Sequence, residues 1–372
     1  MRRQDGQRCG PGSDGVVARD PVRYVGASNV QSYAQDRVAA AQAFPKKDLI
    51  YRLFRLPQLD LIVWFASQEL AELCERKLFQ RRDLSPASAR AEIYVLDSRV
   101  AGWTTPVAWF EKSGLSPRSL DQSLAAIGLR GYYYHDSPSW QFFDPLANVG
   151  VMTLSSPLGL PPWEISSPLR LFIHWAYAAA GMRLIHAATL GLGSEGALIS
   201  GASGSGKSGT TLAGLLNGLD SNGDDYVVVE AGVPTIAYPV FKLFKQDPEG
   251  LRRVGLSSRE MGPLNWQGKI EFDAEGCAGK SLAESLKIRA ILIPVVARLS
   301  RSSIERADAR SAALSLAPSG VFQLPGDAAS GFQFIAALVR AVPAFRLMLS
   351  EDPADIAATV HAFLLKGYPN AR

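Results

Sequence analysis

Gly201-Ala202-Ser203-Gly204-Ser205-Gly206-Lys207-Ser208 is the stretch on which the reading of this chain turns. It fits G-x-x-x-x-G-K-[ST], with Gly209 directly after it. Glycines let successive backbone N–H groups turn inward around phosphate oxygens, and a helix starting there adds its positive end. On this reading Gly201, Ala202, Ser203, Gly204, Ser205, Gly206, Lys207, Ser208 and Gly209 cradle the phosphates of a nucleotide, with a lean to ATP. Lys207 reaches the β- and γ-phosphates, and the Ser208 hydroxyl ligates Mg²⁺. The flanks agree. Ala197–Ser200 reads as a short apolar strand, and Thr211, Leu212, Leu215 and Leu216 mark a helix from Lys207 to about Leu219. A flexible Gly/Ser turn would share the composition but not this order of strand, loop and helix. The fold class implied is α/β, a P-loop nucleotide-binding core with strands alternating with crossover segments.

Two features lie within reach of the loop. Asp224-Asp225 falls 16 positions after Ser208, enough for one helix and a return, just before an apolar strand Tyr226–Val229. At that sheet edge one carboxylate can serve Mg²⁺ while the other accepts a proton from an attacking hydroxyl. Like charges so close raise one pKa unless a metal offsets them. Without the P-loop, Ser221-Asn222-Gly223 would make the pair a solvated turn. His186 lies 15 positions before Gly201, at the start of a strand expected over His186–Leu192; spacing alone favours a packed core histidine.

Farther out, residues 1–22 read as a disordered arm, 23–155 as an N-terminal α+β region with a candidate substrate-binding role, and 156–372 as the P-loop domain. The boundary rests on Ser155, Ser156, Pro157, Gly159, Pro161 and Pro162. The N-terminal region carries a helix over Gln68–Gln80 and strands at Ala91–Leu96 and Tyr132–Tyr134. Its aromatic series (Trp103, Trp109, Phe110, Tyr132, Tyr133, Tyr134, Trp140, Phe142, Phe143) suits core packing, with a peptide-binding surface as the other use. Ser167 reads as the cap of a helix to Gly181 with Pro168 in its first turn. Ala290–Val296 reads as a strand whose far end Pro294 demotes; Phe334–Val342 and Ala354–Leu365 close the chain as helices. Glu271, Asp273 and Glu275, near Lys269, read first as charge on the outer face of a short strand, with completion of the metal site by one of them as the other use. Arg298 and Arg301 suit a solvated loop or a contact to a transferring phosphoryl group.

Composition sets the outer limits. The 372 residues are 47% hydrophobic and 20% charged with a formal net charge of +4, too slight a bias to argue for nucleic acid or a membrane surface. Runs such as Arg81-Arg82 and Arg252-Arg253 read as solvated. Cys9, Cys74 and Cys277 make no CxxC pair, so neither a zinc site nor a disulfide framework is expected. Residues 4–20 lack the apolar core of a signal peptide, and the stretch Leu171–Ala180, interrupted by His174, is too short to span a bilayer. The expectation is a soluble, cytoplasmic protein.

Taken together, His186-Ala187-Ala188, Ala197–Ser200, Gly201–Ser208 and Asp224-Asp225 resemble the HPr kinase/phosphorylase family and its smaller relatives. About 45 residues match closely. The resemblance implies ATP- and Mg²⁺-dependent phosphorylation of a serine hydroxyl on a peptide or protein. It assigns Lys207 and Ser208 to phosphate and Mg²⁺, Asp224 to the general base, Asp225 to the metal or the base, and His186 to the site beside them. Residues 230–270 lack the family's glycine-rich signature loop, which is tied to phosphorolysis, and the first 150 residues do not resemble its usual N-terminal domain. The chain looks more like the compact kinases of lasso-peptide-type biosynthetic clusters, which phosphorylate a C-terminal serine. A small-molecule hydroxyl kinase and a nucleotide-regulated binding module or ATPase are the other readings, and homo-oligomerisation is left open.

Overall fold

The computed structural model describes residues 24–108, 115–156, 159–257, 262–317, 324–326 and 328–366. The arm at 1–22, Cys9, Trp109, Phe110 and Pro157 lie outside them.

Eight strands precede residue 155: β1 (Tyr24–Val25), β2 (Ile50–Leu56), β3 (Leu59–Phe65), β4 (Ala89–Asp97), β5 (Val107–Ala108), β6 (Arg130–Tyr134), β7 (Ser139–Asp144) and β8 (Val149–Leu154). Six form one mixed sheet in the order β2-β3-β4-β8-β7-β6, with β3–β4 and β4–β8 parallel and the other pairs antiparallel. Alternation sends Tyr94, Tyr133, Trp140 and Phe142 to one face, against the helix Val30–Gln42. Phe54, Phe65, Ile93, Tyr134 and Phe143 face the other way, toward the helix Arg170–Ala179. Core packing therefore takes most of the aromatic series. Each ring fully withdrawn from water contributes about 2 kcal/mol.

Ten more strands follow: β9 (Arg183–Ile185), β10 (Ala188–Leu192), β11 (Glu195–Ile199), β12 (Val227–Glu230), β13 (Thr235–Pro239), β14 (Leu243–Gln246), β15 (Ile270–Asp273), β16 (Leu286–Leu299), β17 (Ser303–Ala307) and β18 (Ala344–Ser350). The second sheet runs β10-β11-β16-β13-β12-β9, with β18 joining β16 beyond the reach of β13 and β17 outside β18. β11, β16 and β18 are mutually parallel, so the architecture is mixed α/β with parallel pairs at its centre. One apolar cluster, including Phe65, Phe143, Phe172, Trp175, Val228 and Tyr238, joins the two sheets through the Arg170–Ala179 helix.

Three local expectations are corrected. β16 continues through Pro294 to Leu299. Leu292 O accepts from Ser200 N–H on the β11 side, and Pro294, two residues on, turns its missing N–H to that same side, where β11 has already ended. Ser167 does not start the long helix: it closes a short helix Pro162–Ser166, and Leu169, at φ +61°, is the residue that leads into Arg170–Ala179, its N–H donated to Glu164 Oε1 at 2.9 Å. The expected strand His186–Leu192 starts only at Ala188, as β10, with His186 in the bend that separates it from β9.

Candidate functional site

Gly201–Gly206 forms the turn from β11 into the helix Lys207–Leu216, with Gly204 at φ +78° and Gly206 at φ +101°. Both angles belong to the left-handed region that disfavours side chains. At Gly206 a Cβ would also stand 2.5 Å from Leu349 Cδ1. Lys207 folds over the loop, its Nζ donating to Gly201 O (2.7 Å) and Ala202 O (3.2 Å). Burial, with the Lys269 charge, holds its pKa below the usual lysine value against the pull of Asp225 and Asp224. Ser203, Gly204, Gly206, Lys207, Ser208 and Gly209 face a cavity of about 830 Å³; Gly201, Ala202 and Ser205 stand behind that wall.

Register brings the other assigned residues to the same cavity. β9 and β12 pair antiparallel with Ile185 opposite Val227, so the residues just beyond, His186 and Tyr226, come face to face. Their rings stack with centroids 5.0 Å apart. His186 Nε2 donates to Asp225 Oδ1 at 2.8 Å, and Lys245 Nζ donates to Asp225 Oδ2 at 2.7 Å. Burial would raise the Asp225 pKa, but the Lys245 ammonium and His186 hold it well below the ordinary carboxylate value. Asp224 has the opposite surroundings. Its Oδ2 accepts the Lys245 backbone N–H at 3.0 Å, while Oδ1 is buried with no partner. Burial first, then the Asp225 charge, pushes its pKa up to about 7. Two adjacent carboxylates are thus shifted in opposite directions, which is how an acid–base group is separated from a permanently charged one.

The wall opposite the loop comes from elsewhere. Tyr132 and Tyr134 of β6, Trp163, Ser166 and Ser167, Arg170 and Trp266 all border the cavity. Tyr134 donates its hydroxyl hydrogen to Glu164 Oε2 at 2.7 Å. Glu271, expected on an outer strand face or at a metal, is instead half-buried between Lys77, the Ser166 hydroxyl and Asn265. Arg298 is exposed with φ +51° and borders a smaller adjoining hollow of about 510 Å³. Arg253, taken for a solvated residue, borders both.

Sequence reasoning missed Lys245, Arg170 and Trp266. Lys245 gave little signal: it follows Val240–Phe244, a run that already holds Lys242, and nothing local tells the buried lysine from the other. Among the described residues no group of three or more His, Cys, Asp or Glu forms a metal cage, Cys74 and Cys277 are free thiols, and no helix is long and apolar enough to cross a membrane.

No family model matches the chain, and no curated protein matches it in sequence. Among solved structures, the HPr(Ser) kinase/phosphatase from Coxiella burnetii aligns over 50% of this chain and 97% of that one, at 14% identity and a TM-score of 0.27. Agreement that low carries no argument about fold or activity.

Proposed function

We propose that this chain is a kinase that moves the γ-phosphoryl group of ATP to a serine hydroxyl of a peptide or protein. The observation that carries the reading is the pairing, in one cavity, of a P-loop with a buried carboxylate, Asp224, whose Oδ1 has no partner and whose pKa stands near 7. A base poised near neutrality suits a hydroxyl acceptor.

The donor's phosphates lie along Ser203–Gly209, with Lys207 released from Gly201 O and Ala202 O onto the β- and γ-oxygens. Asp224 Oδ1 takes the acceptor proton as the new oxygen–phosphorus bond forms. The bond from Pγ to the bridging oxygen breaks, and ADP leaves with that electron pair. Asp225, fixed by His186 and Lys245, keeps its charge and so raises the proton affinity of Asp224. The residues present fit Mg²⁺: Ser208 and Asp225 would hold it with the phosphates, since each Asp225 oxygen retains a lone pair beyond its one bond. When bound, Mg²⁺ supplies neutralising charge to the phosphoryl oxygens.

The resemblance noted above extends the proposal to the C-terminal serine of a ribosomally made lasso-type precursor. Incubation with Mg-ATP and serine-ended peptides, followed by mass spectrometry, tests it. A gain of about 80 Da, absent when serine is replaced by alanine, is expected. Rapid ATP hydrolysis with no labelled peptide in any trial overturns the kinase reading in favour of an ATPase.

A further inference from the structure

The wall opposite the P-loop holds a cation that no step above employs. Arg170 is the first residue of the 10-residue helix Arg170–Ala179 and borders the cavity beside Ser166 and Ser167. A guanidinium has five N–H donors. Here Nη1 donates to Tyr226 OH at 3.1 Å and Nη2 to Tyr134 OH at 3.5 Å, while Nε is buried with no partner. Among the described residues Arg170 makes no ion pair. Glu164, the acid that feels its charge, is occupied by Tyr134 OH and the Leu169 N–H, and burial raises its pKa. The arginine therefore faces two neutral phenols, in a place where an uncompensated charge is unfavourable.

The position decides which anion belongs there. The donor's phosphates have the P-loop and Lys207. From Asp225 the contacts run through His186 and the stacked Tyr226 ring to Arg170, which puts the arginine two rings away from the acid pair. Beyond Arg170 a line of aromatic rings continues the wall: Tyr132 to Tyr134 at 5.2 Å, Tyr134 to Trp163 at 6.0 Å, and Trp163 to Trp266 at 6.0 Å. We infer that Arg170 forms an anion subsite that holds a carboxylate of the acceptor, near the hydroxyl that Asp224 deprotonates. The planar carboxylate matches the guanidinium fork. That the occupant is the acceptor rests on the kinase reading; that the subsite takes a carboxylate does not.

Calorimetric titration of the full chain separates the outcomes. The probes are serine peptides of one sequence, ending in a free carboxylate or an amide, and amidated peptides with Asp or Asn beside the serine. The two pairs distinguish a terminal carboxylate from a side-chain one. The wild type should bind one acidic form about tenfold or more tighter than its neutral isostere. Arg170→Gln should bring the pair within about threefold, Arg170→Lys should keep part of the preference, and ADP affinity should not move. Equal or absent binding of all four peptides by the wild type overturns the subsite, as does a preference that survives Arg170→Gln. A loss confined to ADP would put Arg170 on the phosphates and overturn it too. If Arg170→Gln fails to fold, the wild-type pairs and Arg170→Lys still decide. A retained carboxylate preference with no phosphoryl transfer leaves the subsite standing and removes the kinase.

Discussion

The two walls of the cavity are built in opposite ways. One is backbone: consecutive residues Gly201–Gly209 between β11 and a helix, shaped by glycines at positive φ and closed by one lysine. The other is side chain: Tyr134, Trp163, Arg170 and Trp266 converge from a β6 strand, a five-residue helix, the start of a longer helix and a loop. A wall of consecutive backbone amides suits a ligand part common to all substrates, such as a triphosphate. A wall of scattered large side chains can be altered residue by residue, which suits the part that distinguishes one acceptor from another.

The largest expected effect lies on the backbone wall. Lys207→Ala should reduce phosphoryl transfer to background, because it removes the cation positioned within the loop. Activity within about tenfold of wild type, roughly 1.4 kcal/mol of barrier, would break the assignment of that wall to phosphates.

Next comes the carboxylate between the walls. Asp224→Asn should keep ATP-analogue binding and lose about a hundredfold or more in turnover. In the metal-free chain the Asp224 carboxyl loses its proton near pH 7. The same shift has a stability consequence. A folded pKa raised from 3.8 to about 7 means Asp224 stabilises the fold fully below pH 3.8 and loses that contribution as pH rises through 7. Asp225, shifted the other way, contributes above pH 3.8 and loses its part only as the pH falls. Between pH 5.5 and 8.5 only Asp224 of the two titrates. The Tm of Asp224→Asn relative to wild type should therefore climb by a few degrees across that window. A flat or falling difference in thermal melts would remove the raised pKa.

How far each wall was legible follows from how it is built. The P-loop is a continuous pattern whose geometry depends on residues next to one another, so Gly206, Lys207 and Ser208 could be named from the sequence. Asp224, Asp225 and His186 were legible because all three lie within three residues of paired strand ends: His186 follows β9 directly, and Asp225 and Asp224 stand two and three residues before β12. Arg170 was hidden because the start of its helix was read at Pro168, and only Glu164 reaching Leu169 N–H moves it to the cavity. Arg81 was hidden the same way: an Arg-Arg pair looks solvated, yet Arg81 is buried against Asp60 at 2.9 Å and Leu56 O at 2.8 Å. Pairings between residues distant in sequence leave no local trace.

The smallest effect tests the side-chain wall. Trp266 is half-exposed at 52% and its ring meets that of Trp163 edge-on, with centroids 6.0 Å apart. Its removal opens no core, so Trp266→Ala should leave Tm within a degree or two. What it removes is an exposed aromatic face against which an acceptor packs, and one such contact is about 1 kcal/mol. That predicts a rise in KM for a serine peptide of about fivefold, with kcat and the KM for ATP unchanged. The KM split is the informative part. A change in the KM for ATP instead would mean that the nucleotide extends onto this wall, and the division between a common backbone wall and a discriminating side-chain wall would fail. An unchanged KM for both substrates would confine the acceptor to Arg170, Tyr134 and Trp163, drawing the discriminating surface closer to Asp224.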